Sequence, residues 1–570
     1  MPPNRLGIVK SLRFARVLYL FIIALSFYLL FMSRSGEVYT VWEVMHPFFI
    51  PMFFASTFLL SLIILSSERT EYKLLFTILH SVLSHTLMII IFPAGNVGVQ
   101  QMMLGKTRLV FDNVLSPGSG MPAISLPLKI YYSFRGDNFQ TAFSVIFARM
   151  FGVDVYWSHL LLVPLLWGIF VPVAAFMMTK ALGRSDNTSI LSSLMISLFP
   201  ANIIWGAVSI SNGLGYLFFF LFIYFLLKYI NSNRVKDFFL VTTFLFISFL
   251  SHYLAGTVAF SLLLLANSIK TYQKDKTRSL ASARSMLLLA FIFCASILPF
   301  ALAYRRFFYP WANTSFSLQK LFEAPFADVL WSLLLGSYFD LISREAYFTA
   351  IIYGVASLVS LIGMVCILGL RIGAKNSPKR SINPALLFLF LGSLMVIADD
   401  RIVRSFMINV PFIEIDRLWL FRDFTLLPFL AIFVVAAMQE MRTTLDRICR
   451  NITTSLRRTA TRKLSKKLSF FARIHLPKNV SLGSMLTNFF FLAIISGWAT
   501  LSVYYAYPHW SPLQTTSYEL EAVKYIKATT NETYIVVCDS WMTYAGAMIV
   551  GIHNPQAYYF SSGDPHGVTL

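Results

Sequence analysis

The sequence predicts an all-α polytopic membrane protein, and three observations support this fold class. Of the 570 residues, 57% are hydrophobic and only 13% are charged, whereas soluble globular chains carry about 25% charged residues. Apolar runs that are long enough to cross a bilayer recur along the chain. Basic residues, which give a formal net charge of +21, concentrate between these runs. They therefore indicate orientation in a membrane rather than binding to nucleic acid.

The apolar runs define the predicted spans. A spanning helix needs about 20 mostly apolar residues. The first run follows a short basic segment without a small-residue cleavage site, so we expect a retained helix and not a removed signal peptide. Two of the runs are short, and re-entrant segments are the alternative for them. We predict about thirteen spans, at 17–33, 48–66, 74–93, 157–180, 188–207, 213–230, 237–251, 254–269, 285–304, 349–370, 384–398, 422–438 and 484–506.

The charges of the connecting segments predict the orientation. If the N-terminus is cytoplasmic, every predicted inside segment is basic, whereas most outside loops are mixed in sign. The positive-inside rule therefore places the N-terminus in the cytoplasm and the C-terminus outside, and we expect a multi-pass protein of the plasma membrane. The basic segment 441–483 interleaves leucine and phenylalanine with its charges, which predicts an amphipathic helix on the anionic inner leaflet.

The chain divides into five predicted parts. Residues 1–73 form an N-terminal basic segment with two spans, and residues 74–440 form a transmembrane core. The basic amphipathic segment 441–483, a last span at 484–506 and an external tail at 507–570 follow. Long external loops interrupt the core at 94–156, 305–348 and 399–421. Long loops in compact proteins are usually functional, so we expect the functional site on the external side.

The tail predicts a small α/β segment. SYELEAVKYIKATT has the pattern of an amphipathic helix, TYIVVCD that of a strand, and WMTYAGAMIVG that of a second helix. The last residues, SSGDPHGVTL, are rich in turn formers, and we predict no closing element after the second helix. One such unit is too small to bury a core alone. The tail therefore either docks on the membrane part or is one piece of a longer chain.

Three stretches carry a resemblance to a known family. Residues 141–183, TAFSVIFARMFGVDVYWSHLLLVPLLWGIFVPVAAFMMTKALG, resemble the segment after the first large external loop of the GT-C glycosyltransferases. The stretch LMISLFPANIIWGAVSISNGLGYLFFFLFIYFLLKYI resembles the next two spans of the family, and SHYLAGTVAF (251–260) a later break between spans. The whole organisation resembles oligosaccharyltransferase catalytic subunits, and DSWMTYAG (539–546) is similar to part of their acceptor-reading motif.

The resemblance implies transfer of a sugar from a polyprenyl-phosphate donor to an acceptor on the external face. Substitution at the anomeric carbon needs a carboxylate, as a general base or as the ligand of a divalent cation such as Mg²⁺ or Mn²⁺. Asp112 is the first candidate for both roles and Asp137 the second, although both also fit turn chemistry. Glu37 and Glu43 are further candidates. The family has an acidic residue where this chain has Asn96.

Basic residues outside the membrane are candidates for holding the departing phosphate. The alternatives for them are snorkelling at the interface and internal ion pairs. His252, in a break between two short spans, is a further candidate, and a packing residue is the alternative for it. The phosphate candidates are Arg305, Arg306, Arg417 and Arg422.

The expected partners are membrane lipids, the polyprenyl-phosphate sugar donor and an unidentified acceptor, without nucleic acid. The sequence contains no nucleotide-binding motif, so we expect no nucleotide cofactor. Two other functions stay open. Asn96 in the acidic place favours a non-catalytic subunit or a lipid-carrier binder. A transporter or flippase of lipid-linked sugars predicts inverted repeats and charges at mid-membrane depth, which the sequence does not show.

Overall fold

The structure is a computed structural model. It describes residues 3–34, 41–93, 98–112, 136–232, 234–274, 384–393, scattered positions between 395 and 447, 482–506, 517–530, 532–538, scattered positions in 545–550, and 557–561. This part of the chain is mostly helical. Its helices are α1 Pro3–Met32, α2 Val41–Val44, α3 Phe49–Leu65, α4 Thr70–Ile91, α5 Gly98–Phe111, α6 Gly136–Phe151, α7 Val155–Ala181, α8 Asp186–Ser197, α9 Pro200–Gly206, α10 Ser211–Ser232, α11 Val235–Ser251, α12 Tyr253–Lys274, α13 Pro384–Ser393, α14 Leu482–Ala506 and α15 Ser517–Thr529.

Four helices in the described part are long and apolar enough to cross a membrane, and a fifth span results if α8 and α9 count as one. The four lie in α1, α4, α7 and α10. Shorter apolar helices fill the predicted spans at 48–66, 254–269 and 484–506. The predicted spans 285–304 and 349–370 lie outside the described residues, and those at 384–398 and 422–438 are described only in part. The membrane class is therefore supported, whereas the total of thirteen stays a prediction.

The predicted span 188–207 is broken rather than continuous. Its two halves, α8 and α9, meet at an angle of 60°. Pro200 has no N–H to donate to the carbonyl of Ile196 four residues earlier, so the helical ladder stops there. The amide Nδ2 of Asn202 donates to Ile196 O at 2.6 Å instead. The bend leaves α9 and the irregular stretch 207–210 buried among the other helices, where such backbone is tolerated.

The connection between α3 and α4 and the beginning of α8 lie at one end of the helix bundle. We call this end the basic end. Arg16 of α1 pairs with Glu68 between α3 and α4 at 3.2 Å. Lys73 of α4 is 3% exposed and donates to Ser66 O and to Asn187 Oδ1, both at 2.7 Å. These bonds fix the middle of α1 and the beginnings of α4 and α8 against each other. The opposite end, where α4 ends and α7 begins, carries α5 and α6, and we call it the tail end.

The last span packs against the first part of the chain. Phe489 of α14 meets Phe58 of α3 edge-on, with ring centroids 5.6 Å apart. At the tail end, Tyr504 of α14 stacks on Trp42 of α2, with ring centroids 4.5 Å apart. The helices from both ends of the sequence therefore lie side by side in the bundle.

The tail contains α15 and two strands, β1 Tyr534–Cys538 and β2 Ala557–Ser561. The helix and the first strand lie where the sequence predicts them. The prediction of no closing element was wrong, because β2 pairs with β1 in parallel, with Tyr534 opposite Ala557. Aromatic residues suit the pleated surface of β2, but a parallel pair joins strands distant in sequence, so β2 gives no local hairpin signal.

The tail docks on the tail end of the bundle, which is one of the two outcomes expected from the sequence. Leu520 of α15 and Ile549 pack against a small apolar cluster formed by Ile89, Leu104 and Leu160. This cluster joins the end of α4, the middle of α5 and the beginning of α7. The tail and the predicted loop 94–156 therefore lie at the same end of the bundle, opposite the basic end.

Candidate functional site

The predicted loop 94–156 contains two helices, α5 and α6, that run parallel across the tail end. Lys106 of α5 donates to Asn138 Oδ1, near the beginning of α6. At the other end of the pair, Arg149 of α6 donates to Phe111 O at 2.9 Å. Helices α5 and α6 therefore run in the same general direction. Gly152, with φ of +63°, ends α6, and Asp154 caps α7 by accepting from Tyr156 N at 2.7 Å, as the sequence predicts.

Neutral polar side chains meet where α5, α6 and α7 face the irregular stretch before α10. We call this set the polar cluster. Every member is at most 1% exposed. Buried polar groups are costly unless they are hydrogen-bonded, so a set of this size at one place in an apolar bundle needs an explanation. The polar cluster consists of Gln100, Thr107, Gln140, Thr141, Ser144, His159 and Ser209.

His159 stands at the centre of the polar cluster. Its Nδ1 lies 3.2 Å from Thr107 Oγ1 and 3.4 Å from Ser144 Oγ. The hydroxyl of Thr107 donates to Met103 O at 2.7 Å. Ser209 Oγ donates to the carbonyl of His159. These bonds connect α5, α6, α7 and the stretch 207–210 around one imidazole.

Gln140 extends the polar cluster from α6, because its Nε2 donates to Ser209 Oγ at 3.2 Å. Five buried atoms of the cluster have no hydrogen-bond partner within the described part of the chain. Since more than nine in ten buried polar groups in proteins are paired, this concentration is unusual. The five atoms are Gln100 Oε1, Gln100 Nε2, Gln140 Oε1, Thr141 Oγ1 and His159 Nε2.

Helical spacing brings these side chains together. Gln140, Thr141 and Ser144 stand at i, i+1 and i+4 on α6, so they share one face of that helix. Gln100 and Thr107 stand at i and i+7 on α5 and share its inner face in the same way. The apolar partners Leu104 and Leu160 are buried next to them.

The polar cluster offers both donors and acceptors but no charge. Amides present a carbonyl and an NH₂, and hydroxyls donate and accept at one atom. Such groups match ligands whose polar atoms also donate and accept, and sugar hydroxyls are of this kind. Lys106 of α5, next to Thr107 in the sequence, is half-buried beside Asn138.

The two predicted acids lie at opposite ends of the α5–α6 pair. Asp137 stands in the first turn of α6, next to Asn138. Asp112 follows α5, is about half exposed and pairs with Arg108 at 4.0 Å. Asp112 lies six residues after Lys106, whose side chain contacts Asn138 beside Asp137, so the two acids stand at different places along the α5–α6 pair.

Among the described residues, no group of three or more His, Cys, Asp or Glu side chains is placed to hold a metal ion. Asp112, the predicted ligand, has Arg108 beside it. The divalent cation that the resemblance implies stays a prediction.

His252 lies in the one-residue break between α11 and α12 and is 5% exposed. Its ring packs against Tyr216 of α10, with centroids 5.5 Å apart, and a Cβ at Gly215 would overlap the Cβ of His252. This close packing suits the packing role that the sequence left open. Glu43 is exposed on α2. The other predicted residues lie outside the described part of the chain, namely Glu37, Asn96, Arg305, Arg306, Arg417 and Arg422.

Sequence reasoning missed the polar cluster, because it searched the external loops for charges. The available signal was the polarity of one face of α6, where Asn138, Gln140, Thr141 and Ser144 recur between phenylalanines. A comparison with protein-family models gives no match to this chain, and a comparison with curated proteins gives none either.

Proposed function

We propose that this chain is a GT-C-like membrane glycosyltransferase that transfers a sugar from a polyprenyl-phosphate donor to an acceptor on the external face. The observation that carries the proposal is the polar cluster. It is neutral, buried, rich in amides and hydroxyls, and lies at the end of a bundle with several helices that are long enough to span a membrane. A lipid-linked sugar presents the matching chemistry, since its hydroxyls donate and accept while its lipid stays in the bilayer.

In this proposal the polar cluster binds the sugar. Gln100, Gln140 and Thr141 supply four of the five cluster atoms that have no partner among the described residues, and each of these side chains can bond a hydroxyl. Lys106 has three donors on Nζ, so it can hold Asn138 and still contact a phosphate oxygen. A cation at that place stabilises the charge that develops on the leaving group.

The chemical step is a substitution at the anomeric carbon. A nucleophilic atom of the acceptor forms a bond to this carbon, the bond from the carbon to the phosphate oxygen breaks, and polyprenyl phosphate leaves with the electron pair. A carboxylate takes the proton of the acceptor. Asp137 is the better candidate for this base, because its helix turn adjoins Asn138 and Lys106. Asp112 lies about 7.5 Å beyond Thr107 along α5.

The test is transfer of labelled sugar from polyprenyl-phosphate donors by the purified chain in nanodiscs. Wild type is compared with Asp137→Asn, Asp112→Asn and Gln140→Leu, and with Glu521→Gln as a control for an acid exposed on the tail. Loss of transfer in Asp137→Asn and Gln140→Leu, with donor binding retained in Asp137→Asn, supports the proposal. Full transfer in all variants contradicts it.

One observation favours a second candidate, a non-catalytic binder of the lipid carrier. The polar cluster contains no carboxylate, and Asn96 stands in the acidic place of the family. This candidate predicts that wild type binds the donor, that Gln140→Leu weakens the binding, and that no sugar is transferred with any acceptor.

A further inference from the structure

Helix α6 exposes large apolar side chains while it buries a group of polar ones, together with the apolar residues Val145 and Ala148. Its buried positions include Asn138, Gln140, Thr141 and Ser144, none of which is more than 5% exposed. Its exposed positions include apolar residues, which are Ile146 at 53%, Met150 at 73% and Phe151 at 63%. A surface helix of a soluble protein buries its apolar stripe and exposes its polar face. The arrangement in α6 therefore indicates that the exposed side does not face water.

The apolar surface of α6 continues into the beginning of the spanning helix α7. Val153 and Trp157 follow Phe151 across the Gly152 turn and are 39% and 37% exposed. Further along α7, Ile169 and Phe170 are 40% and 42% exposed. In a spanning helix such residues face lipid, and tryptophan is enriched at the boundary between the bilayer and water.

The contacts of α6 place it beside the spanning helices. Phe139 meets Phe218 of α10 edge-on, with ring centroids 6.3 Å apart. Phe218 is seven residues into α10, which corresponds to about 10 Å along that helix. The first half of α6 therefore lies against the flank of a span.

Arg149, the one charged side chain on the described surface of α6, is exposed but bonded back to the protein. It donates to Phe111 O at 2.9 Å, and its guanidinium lies 5.5 Å from the centroid of the Phe111 ring. Ile146, Met150 and Phe151 are exposed beside it. An arginine held in this way is compatible with the membrane boundary, where such side chains snorkel.

We propose that α6 is a membrane-embedded helix at the lipid boundary, with Ile146, Met150 and Phe151 in contact with acyl chains. The polar cluster then lies directly behind this helix, within reach of the headgroup level. The inference does not depend on the proposed enzymatic function, because it follows from the exposure and packing of α6. It assigns to the membrane a segment that hydropathy alone assigns to an external loop.

The test uses spin labels on the full chain in nanodiscs. The four cysteines, Cys294, Cys366, Cys449 and Cys538, are first replaced by serine, and the background must elute as a single species. Cysteine is then introduced at Ile146, Met150 and Phe151. Phe170 of α7 is the lipid-facing reference, and Lys527, exposed on α15, is the aqueous reference. The measurement is the collision rate of the nitroxide with oxygen and with a water-soluble nickel chelate.

The expected result is a ratio of oxygen to nickel accessibility severalfold higher at Ile146, Met150 and Phe151 than at Lys527, and close to that at Phe170. A ratio equal to that at Lys527 would place α6 in water and overturn the proposal. Protection of all three sites from both reagents would indicate a protein partner on this face and would overturn it as well. Glu521→Cys repeats the aqueous reference if the label at Lys527 disturbs the tail.

Discussion

The ammonium of Lys73 donates to the amide oxygen of Asn187 at 2.7 Å and joins the beginning of α4 to the beginning of α8. Lys73 is 3% exposed, so its charge depends on these few acceptors. The neighbouring bonds, from Lys73 to Ser66 O and from Thr70 to Asp186 at 2.8 Å, belong to the same basic end.

Replacing Asn187 by leucine removes an acceptor and leaves a buried ammonium partly unsatisfied. We expect a loss of about 1–3 kcal/mol in the free energy of unfolding, measured by denaturant titration in detergent. Arg69→Gln is the matched control. It breaks an ion pair with Glu71 in which both side chains are more than 70% exposed, and such pairs contribute little. Equal losses in both variants would show that the buried bond has no special role.

Two glycines give a matched pair of packing variants. A Cβ at Gly206 in α9 would overlap the ring of His85 and come 2.9 Å from Trp167 Cδ2, whereas a Cβ at Gly497 in α14 has no neighbour within 4 Å. Gly206→Ala should destabilise the protein by about 1–3 kcal/mol through overpacking. Gly497→Ala should stabilise it by about 0.5–1 kcal/mol, because alanine is the better helix former. The melting temperatures in one detergent check both signs, and a lower melting temperature for Gly497→Ala would contradict the second.

The docking of the tail predicts a change in protease sensitivity. Leu520→Asp places a charge in the apolar cluster of Ile89, Leu104 and Leu160 and should release α15 from the bundle. We expect much faster cleavage within the tail by a non-specific protease, while the bundle stays intact on a gel. Tyr518→Asp, at a position that is 70% exposed, should leave the cleavage rate unchanged. Equal rates for both variants would mean that Leu520 does not hold the tail.

The bond between Gln140 and Ser209 predicts coupling within the polar cluster. Ser209→Ala removes the acceptor of Gln140 Nε2 and the donor to His159 O. It should lower the free energy of unfolding by about 1 kcal/mol or more. Gln140→Leu removes the same contact from the other side. Groups in one network couple by about 0.5–3 kcal/mol, so the double variant should lose less stability than the two single losses together. Strict additivity would mean that the two side chains act independently.

The sequence was sufficient for the parts of the fold that depend on local composition. The spans around α1, α4, α7 and α10 follow from apolar runs, and the cap at Asp154 follows from its place before Val155. The α15 helix and β1 strand also follow from periodicity. The bend at Pro200 was not predicted, because hydropathy averages over a window and does not register one missing N–H.

The polar cluster could not be predicted in the same way, since its members come from four separate stretches and meet only after packing. Gln140 and Ser209 illustrate this, because they lie 69 residues apart in the sequence and meet only in the folded bundle. Asp112 was chosen for its charge and its place on a long loop, but the structure gives it a solvent-exposed partner, Arg108. Helix α6 was assigned to a loop because hydropathy does not report which face of a helix is buried.

The stacking of Tyr504 on Trp42, and of Phe489 against Phe58, has a consequence for biosynthesis. Helix α3 precedes the helix that covers its flank, α14, by more than 400 residues in the sequence. Because synthesis proceeds from the N-terminus, the flank of α3 is made long before its partner and lacks that partner until α14 has been synthesised.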